Sequence, residues 1–187
     1  MNNELIGRRI TKKLRHYLDD FKHTNDGYVE LNTLLKSDEI FKNVKLDTIK
    51  SIVNQDSKQR LSLKFTSNQI FIRANQGHSS GKLKDEKIFQ QIFEPIEGCF
   101  HGTYWSNLKK INISGLSRMN RKHIHIAESE NSISGKRKSC QVKIFINMKL
   151  ALNDGIKFYR SENSVILTPG NQEGFLLPKY FSSIESI

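Results

Sequence analysis

Leu61-Ser62-Leu63-Lys64-Phe65-Thr66-Ser67-Asn68-Gln69-Ile70-Phe71-Ile72-Arg73 sets two apolar runs of strand-like rhythm on either side of Ser67-Asn68. Such runs joined by turn residues predict a β-hairpin. Upstream, Ile6, Ile10, Leu14, Tyr17, Leu18 and Phe21 recur at helical spacing, which predicts a helix over residues 4–21. Thr24-Asn25-Asp26-Gly27 breaks that pattern. Residues 28–31 read as a very short strand. Asn32 is the expected cap of a helix over 33–36, and Leu46, Ile49, Ile52 and Val53 mark another over 46–54. Helix, short strand, two helices and a hairpin is the order of a winged helix, with this hairpin as the wing.

Downstream of the hairpin, Gly77, Ser79, Ser80, Gly81 and Lys82 predict a loop, and a short helix is expected over 86–93. Glu94-Pro95 is the expected boundary between lobes at 1–93 and 94–187. Beyond it, Ser106 is the expected cap of a helix over 107–113, and Gly115 sits where a left-handed residue ends one. Short strands are expected over 123–127, 141–147, 156–161, 164–168 and 174–177. A helix over 148–153 is ended by Asp154-Gly155. Many short strands with two short helices predict an α+β lobe on a split sheet.

The 187 residues carry a net charge of +11, with 30 Lys+Arg against 19 Asp+Glu. The excess is spread evenly over both halves and is not a tail, which favours a nucleic-acid partner over a targeting segment. Cys99 and Cys140 form no CxxC pair and no signal peptide precedes them, so reduced thiols in a cytoplasmic protein are expected. No apolar run reaches the roughly 18 residues of a membrane span. A monomer is the default expectation.

Five of the six histidines fall in three segments that contain no Asp or Glu: Leu14-Arg15-His16, Arg73 to Ser79, and His101 to His125. Arg and His without carboxylates suit an anion, above all a phosphate. Arg15-His16 also fits a solvated helix face. Arg73 ends a strand, and Asn75, Gln76, Gly77, His78 and Ser79 after it offer donors and one bare backbone position for cradling phosphate; an ordinary connecting loop is the competing reading. His101-Gly102-Thr103 suits a small polar ligand. On a strand, Arg121, His123 and His125 would share one face. That histidine pair has no nearby Cys or Asp, and Glu128 would face away, so no metal is expected.

Taken together, these segments resemble the RNA 2′-phosphotransferase family of the KptA type. The likeness runs from about residue 8 to residue 181. It is carried by Leu14-Arg15-His16, Asp26-Gly27-Tyr28-Val29 with Leu34-Leu35, Arg73 to Ser79 and His101-Gly102-Thr103-Tyr104. It continues through Gly115-Leu116, Met119 to His125, Asp154-Gly155-Ile156, Asn163 to Thr168 and Leu177 to Phe181. Two departures stand out. Ser164 replaces a frequent family glycine, and the family's Gly-Met-Arg loop is Gly135-Lys136-Arg137 here.

The resemblance implies a winged-helix RNA-binding lobe followed by an ADP-ribosyltransferase-like lobe, with NAD⁺ as co-substrate and RNA bearing an internal 2′-phosphate, tRNA among the candidates, as substrate. It implies attack of the 2′-phosphate on the nicotinamide riboside carbon, then attack of the ribose 2″-hydroxyl on phosphorus. The products are nicotinamide, 2′-hydroxyl RNA and ADP-ribose 1″,2″-cyclic phosphate. Arg15, His16, Arg73 and Arg121 fall on the essential family positions. His101, Gly102, Thr103, His123 and His125 fall where the family holds NAD⁺. Transfer to phosphate ends of RNA or DNA, and a non-catalytic winged-helix nucleic-acid binder, are the competing readings.

Overall fold

A computed structural model describes residues 2–137 and 139–187. The chain divides into two compact units, Met1–Ile88 and Phe89–Ile187.

In the first unit, α1 (Asn3–His16) opens where the Asn2 side chain accepts the Glu4 and Leu5 amides, and it buries Ile6, Ile10 and Leu14. The helical spacing read through to residue 21 is interrupted after His16. Tyr17 leaves the helical region, with φ at −129°, and the remainder becomes a 3₁₀ turn over Leu18–Asp20. β1 (Val29–Glu30) leads into α2 (Leu31–Lys36). The cap of α2 is Glu30, whose carboxylate accepts the Asn32 and Thr33 amides; Asn32 itself lies inside the helix. That carboxylate is held below its usual range by the Thr33 hydroxyl first, and by the capped amides.

After α3 (Leu46–Gln55), β2 (Leu61–Phe65) and β3 (Ile70–Ala74) form the expected hairpin, paired from Leu61↔Ala74 to Phe65↔Ile70. The strand order β1-β3-β2 makes a three-stranded antiparallel sheet. Its inner face joins one core of Ile6, Ile10, Leu14, Val29, Leu34, Phe41, Ile49 and Ile72. Each such side chain contributes about 1.5–3 kcal/mol by leaving water. The helix expected over 86–93 is instead two elements, α4 (Asp85–Ile88) and β4 (Gln90–Ile92).

The second unit holds β5 (Phe100–Thr103), α5 (Trp105–Ser114), β6 (Leu116–Ser117), β7 (Ile124–Ala127), β8 (Val142–Ile146) and α6 (Met148–Asn153). It ends with β9 (Phe158–Arg160), β10 (Val165–Thr168), β11 (Phe175–Leu176) and β12 (Phe181–Ser186). Seven strands form one antiparallel sheet in the order β12-β8-β5-β7-β10-β9-β4, while β11 and β6 pair separately. The large sheet is thinnest in its middle, where Phe100↔Ala127 is the one registered pair between β5 and β7. Val142, Ile144, Ile126, Phe158 and Ile166 form its core. Tyr104, not Ser106, occupies the N-cap of α5, and Gly115 ends that helix at φ +88° as expected. The chain is therefore α+β, built on a large antiparallel sheet.

Candidate active site

Two adjacent backbone segments carry the first cluster. The Ser79 amide donates to the Arg15 carbonyl at 2.8 Å, and Ser79 Oγ shares a 2.8 Å hydrogen bond with His16 Nδ1. The 75–80 loop is thus clasped to the end of α1. Gly77 makes the clasp possible. Its φ is +88°, and a methyl group there would lie 3.0 Å from Arg15 Nε. The Arg15 stem therefore runs directly over bare backbone. His16 is exposed, Arg15 half-buried.

Arg73 is the penultimate residue of β3, the central strand of its sheet, and is paired with Ser62. Its Nη1 donates to the Asp26 carbonyl at 3.2 Å, and its guanidinium lies 4.7 Å from the centre of the Tyr28 ring. The Asp26 carboxylate is engaged within its own turn, where it accepts the Thr24 hydroxyl. A methyl group at Gly27 would stand 3.8 Å from His78 Nε2, so His78 reaches the Asp26-Gly27 turn that Arg73 contacts. His78 is 3% exposed. Asn75 is equally buried, and its donors brace the preceding turn: the amide to the Arg60 carbonyl at 2.9 Å, Nδ2 to the Gln59 carbonyl at 2.7 Å. Gln76 is buried alongside.

The second unit carries the other cluster. His101, on β5, places Nδ1 2.8 Å from the His125 carbonyl. A carbonyl only accepts, so Nδ1 bears the proton and Nε2 of the neutral ring is an acceptor. Burial draws the His101 pKa below its ordinary value, the hydrogen bond opposes this, and the Arg137 charge adds to the lowering. A side chain on Gly102 would meet Cys140 Sγ at 2.8 Å. Thr103 is buried, its carbonyl accepting the Gln141 amide and its hydroxyl meeting Asn107 Nδ2 at 3.4 Å.

Arg121 lies in the turn before β7, its carbonyl accepting from Arg118 Nη1 at 3.0 Å. The strand begins at Ile124, so Arg121 and His123 precede it and the expected shared strand face of Arg121, His123 and His125 does not form. His123 is instead enclosed, its ring edge-on to Phe89 at 5.5 Å and to Tyr159 at 6.1 Å. Burial lowers the Arg121 pKa, and the Arg137 charge lowers it further. Arg137 also stacks 5.7 Å from the Tyr104 ring. The Tyr104 hydroxyl, bonded to Ser139 first and then Arg137, is held below its usual range. Among the described residues no group of three or more His, Cys, Asp or Glu gathers as metal ligands.

The profile of the RNA 2′-phosphotransferase, Tpt1 / KptA family matches residues 1–170. The chain belongs to this family. It is 43% identical over 165 residues to tRNA 2′-phosphotransferase 1 of Homo sapiens, covering 83% of this chain and 64% of that protein. A probable RNA 2′-phosphotransferase of Fusobacterium nucleatum is 28% identical, covering 90% of this chain and 94% of its own. The zebrafish (Danio rerio) tRNA 2′-phosphotransferase 1 is 36% identical over 200 residues, covering all of this chain and 88% of that protein. The chain spans just under two thirds of the length of the human and mouse relatives, at 64% and 65%.

Within this member of the family, the fold gathers Arg15, His16, Arg73, Gln76, His78 and Ser79 in one unit. In the other it sets Arg137 beside His101, Tyr104 and Arg121. Arg137 and Tyr104 are the residues that sequence reasoning left unassigned. A Lys/Arg loop looks solvated in sequence; the family's Gly-Met-Arg position was the available signal. Gly135 anchors that loop, since its φ is +84° and a methyl group would meet Ala127 Cα at 2.9 Å.

Proposed function

We propose that this chain is an NAD⁺-dependent RNA 2′-phosphotransferase acting on RNA with an internal 2′-phosphate, tRNA among its substrates. In this reading the first unit is the winged-helix RNA lobe and the second the ADP-ribosyltransferase-like lobe. The observation that carries it is the seat of Arg15 on Gly77, with the loop Arg73–Ser79 clasped to Arg15-His16. An Arg/His cluster of that make holds a phosphate dianion by bidentate contact.

The chemistry fits the scarcity of carboxylates. A phosphate monoester is largely ionised near neutral pH and needs no general base to attack the riboside carbon. Nicotinamide departs as a neutral molecule and needs no acid. The work left is alignment and charge stabilisation, which Arg15, Arg73 and Arg121 supply. His101 with its acceptor Nε2, Gly102, Thr103, His123 and His125 form the proposed NAD⁺ contacts. Arg137 is added as a cation for the pyrophosphate, because it lies beside Arg121 and His101. His16 assists the second step, in which the 2″-hydroxyl forms the cyclic phosphate and the departing 2′-oxygen takes up a proton. Its bond to Ser79 fixes the ring for that task.

The test is a His16→Ala variant given 2′-phosphorylated RNA and NAD⁺. Release of nicotinamide with accumulation of RNA carrying ADP-ribose on its 2′-phosphate is expected. Unaltered conversion to 2′-hydroxyl RNA would remove His16 from the second step. No nicotinamide release by the unmutated chain would end the reading.

A further inference from the structure

We propose that the outward face of the β1-β3-β2 sheet is a track for the single-stranded RNA flanking the phosphorylated nucleotide. Tyr28 stacks a neighbouring base there and Lys64 contacts a neighbouring phosphate. The inference rests on the function proposed above and extends the same site.

Register and alternation place these side chains together. Val29, Leu61, Ile72 and Ala74 are buried toward the core, so their strand neighbours Ser62, Lys64, Phe71 and Arg73 face the other way. Pairing sets Ser62 beside Arg73 and Lys64 beside Phe71. Val29 opposite Ile72 brings Tyr28 to the Arg73 row. Two cations then lie over the Tyr28 ring, the Arg73 guanidinium at 4.7 Å and Lys64 Nζ at 5.5 Å from its centre. The ring is half-buried and Lys64 exposed.

The charge of this face matches a polyanion. Its acid, Glu30, is turned to α2, where it accepts the Asn32 and Thr33 amides. The neighbouring Asp26 carboxylate is taken by Thr24. An aromatic ring set among cations on one sheet face is the construction that holds single-stranded nucleic acid without reading its sequence. The same Arg73 that flanks Tyr28 is a proposed clamp of the transferred phosphate. A base stacked on Tyr28 therefore belongs to a nucleotide next to the reacting one.

The experiment uses the full chain and a short 2′-phosphorylated oligonucleotide with 2-aminopurine beside the modified nucleotide, against a 2′-phosphorylated mononucleotide. Binding without NAD⁺ quenches the fluorescence of the unmutated chain's complex and of Tyr28→Phe, and leaves that of Tyr28→Leu unquenched. With NAD⁺, Tyr28→Leu lowers the preference in kcat/KM for oligonucleotide over mononucleotide by roughly tenfold, as loss of one stacked base requires. Lys64→Ala, at an exposed position, reduces the salt slope of oligonucleotide binding by about one. Equal losses of Tyr28→Leu on both substrates would mean that Tyr28 only holds Arg73, and would overturn the track. Unchanged quenching in Tyr28→Leu, or an unchanged salt slope in Lys64→Ala, would overturn it too. Quenching by a chain that turns over neither substrate would refute the proposed activity while leaving the track standing.

Discussion

Single atoms decide the first cluster. A methyl group at Gly77 would strain the backbone at φ +88° and press on Arg15 Nε at 3.0 Å. Gly77→Ala is expected to lower stability by about 1–3 kcal/mol and turnover by roughly a hundredfold, since small displacements of an aligning group are that damaging; urea denaturation and a nicotinamide-release assay read the two effects. Ser164 gives the opposite case. It stands at φ +56°, a backbone region that glycine enters without strain. Ser164→Gly should raise stability by about 0.5–1 kcal/mol in the same denaturation assay. His101 makes the pH prediction. Its folded pKa lies below the ordinary 6.5, so the unfolded chain binds a proton more readily. Stability from this group is complete above pH 6.5 and is lost as pH falls through that value toward the folded pKa. An NMR titration of His101 with its midpoint below 6.5, and a denaturation midpoint that drops on acidification, are the expected results. Histidine and arginine identities were legible in the sequence. Their neighbours were not, because Arg137 meets Arg121, His101 and Tyr104 through chain reversals that no short spacing reveals.

At the scale of elements, the hairpin from Leu61 to Ala74 could be read because period-two patterning and turn residues agree there. β12 could not. Ser182, Ser183, Glu185 and Ser186 are exposed at a sheet edge, so no buried face imprints a pattern. The α2 cap shifted to Glu30 because its carboxylate accepts the Asn32 and Thr33 amides, which starts the helix at Leu31 and takes Asn32 inside it. Likewise, β4 replaced the later part of an expected helix, since pairing of Gln90–Ile92 with β9 satisfies its backbone. Asp56 holds the turn between α3 and β2, accepting the Lys58 and Arg60 amides and pairing with the Arg60 guanidinium at 2.7 Å. That turn supports Asn75 through the Gln59 and Arg60 carbonyls. Asp56→Ala is expected to lower stability by about 1–3 kcal/mol, seen as a lower urea midpoint at unchanged slope.

For the whole molecule, charge is the broadest determinant. A net +11 spread over both units suits a polyanionic substrate wherever it is held. Each unit supplies a different part of the proposed chemistry: Arg15, His16 and Arg73 in one, and Arg121, Arg137 and His101 in the other. Removing a clamp from either unit should therefore abolish the same reaction. Arg73→Ala and Arg121→Ala are each expected to lower single-turnover nicotinamide release at least a hundredfold; a loss confined to one of them would separate the two units functionally. The most direct measurement follows the phosphorus atom. RNA labelled at its internal 2′-phosphate is incubated with the protein and NAD⁺, and the labelled product is identified. The account predicts that the label leaves RNA as ADP-ribose 1″,2″-cyclic phosphate, with one nicotinamide released per phosphate transferred. Label recovered as inorganic phosphate, or lost from RNA without NAD⁺, would contradict it.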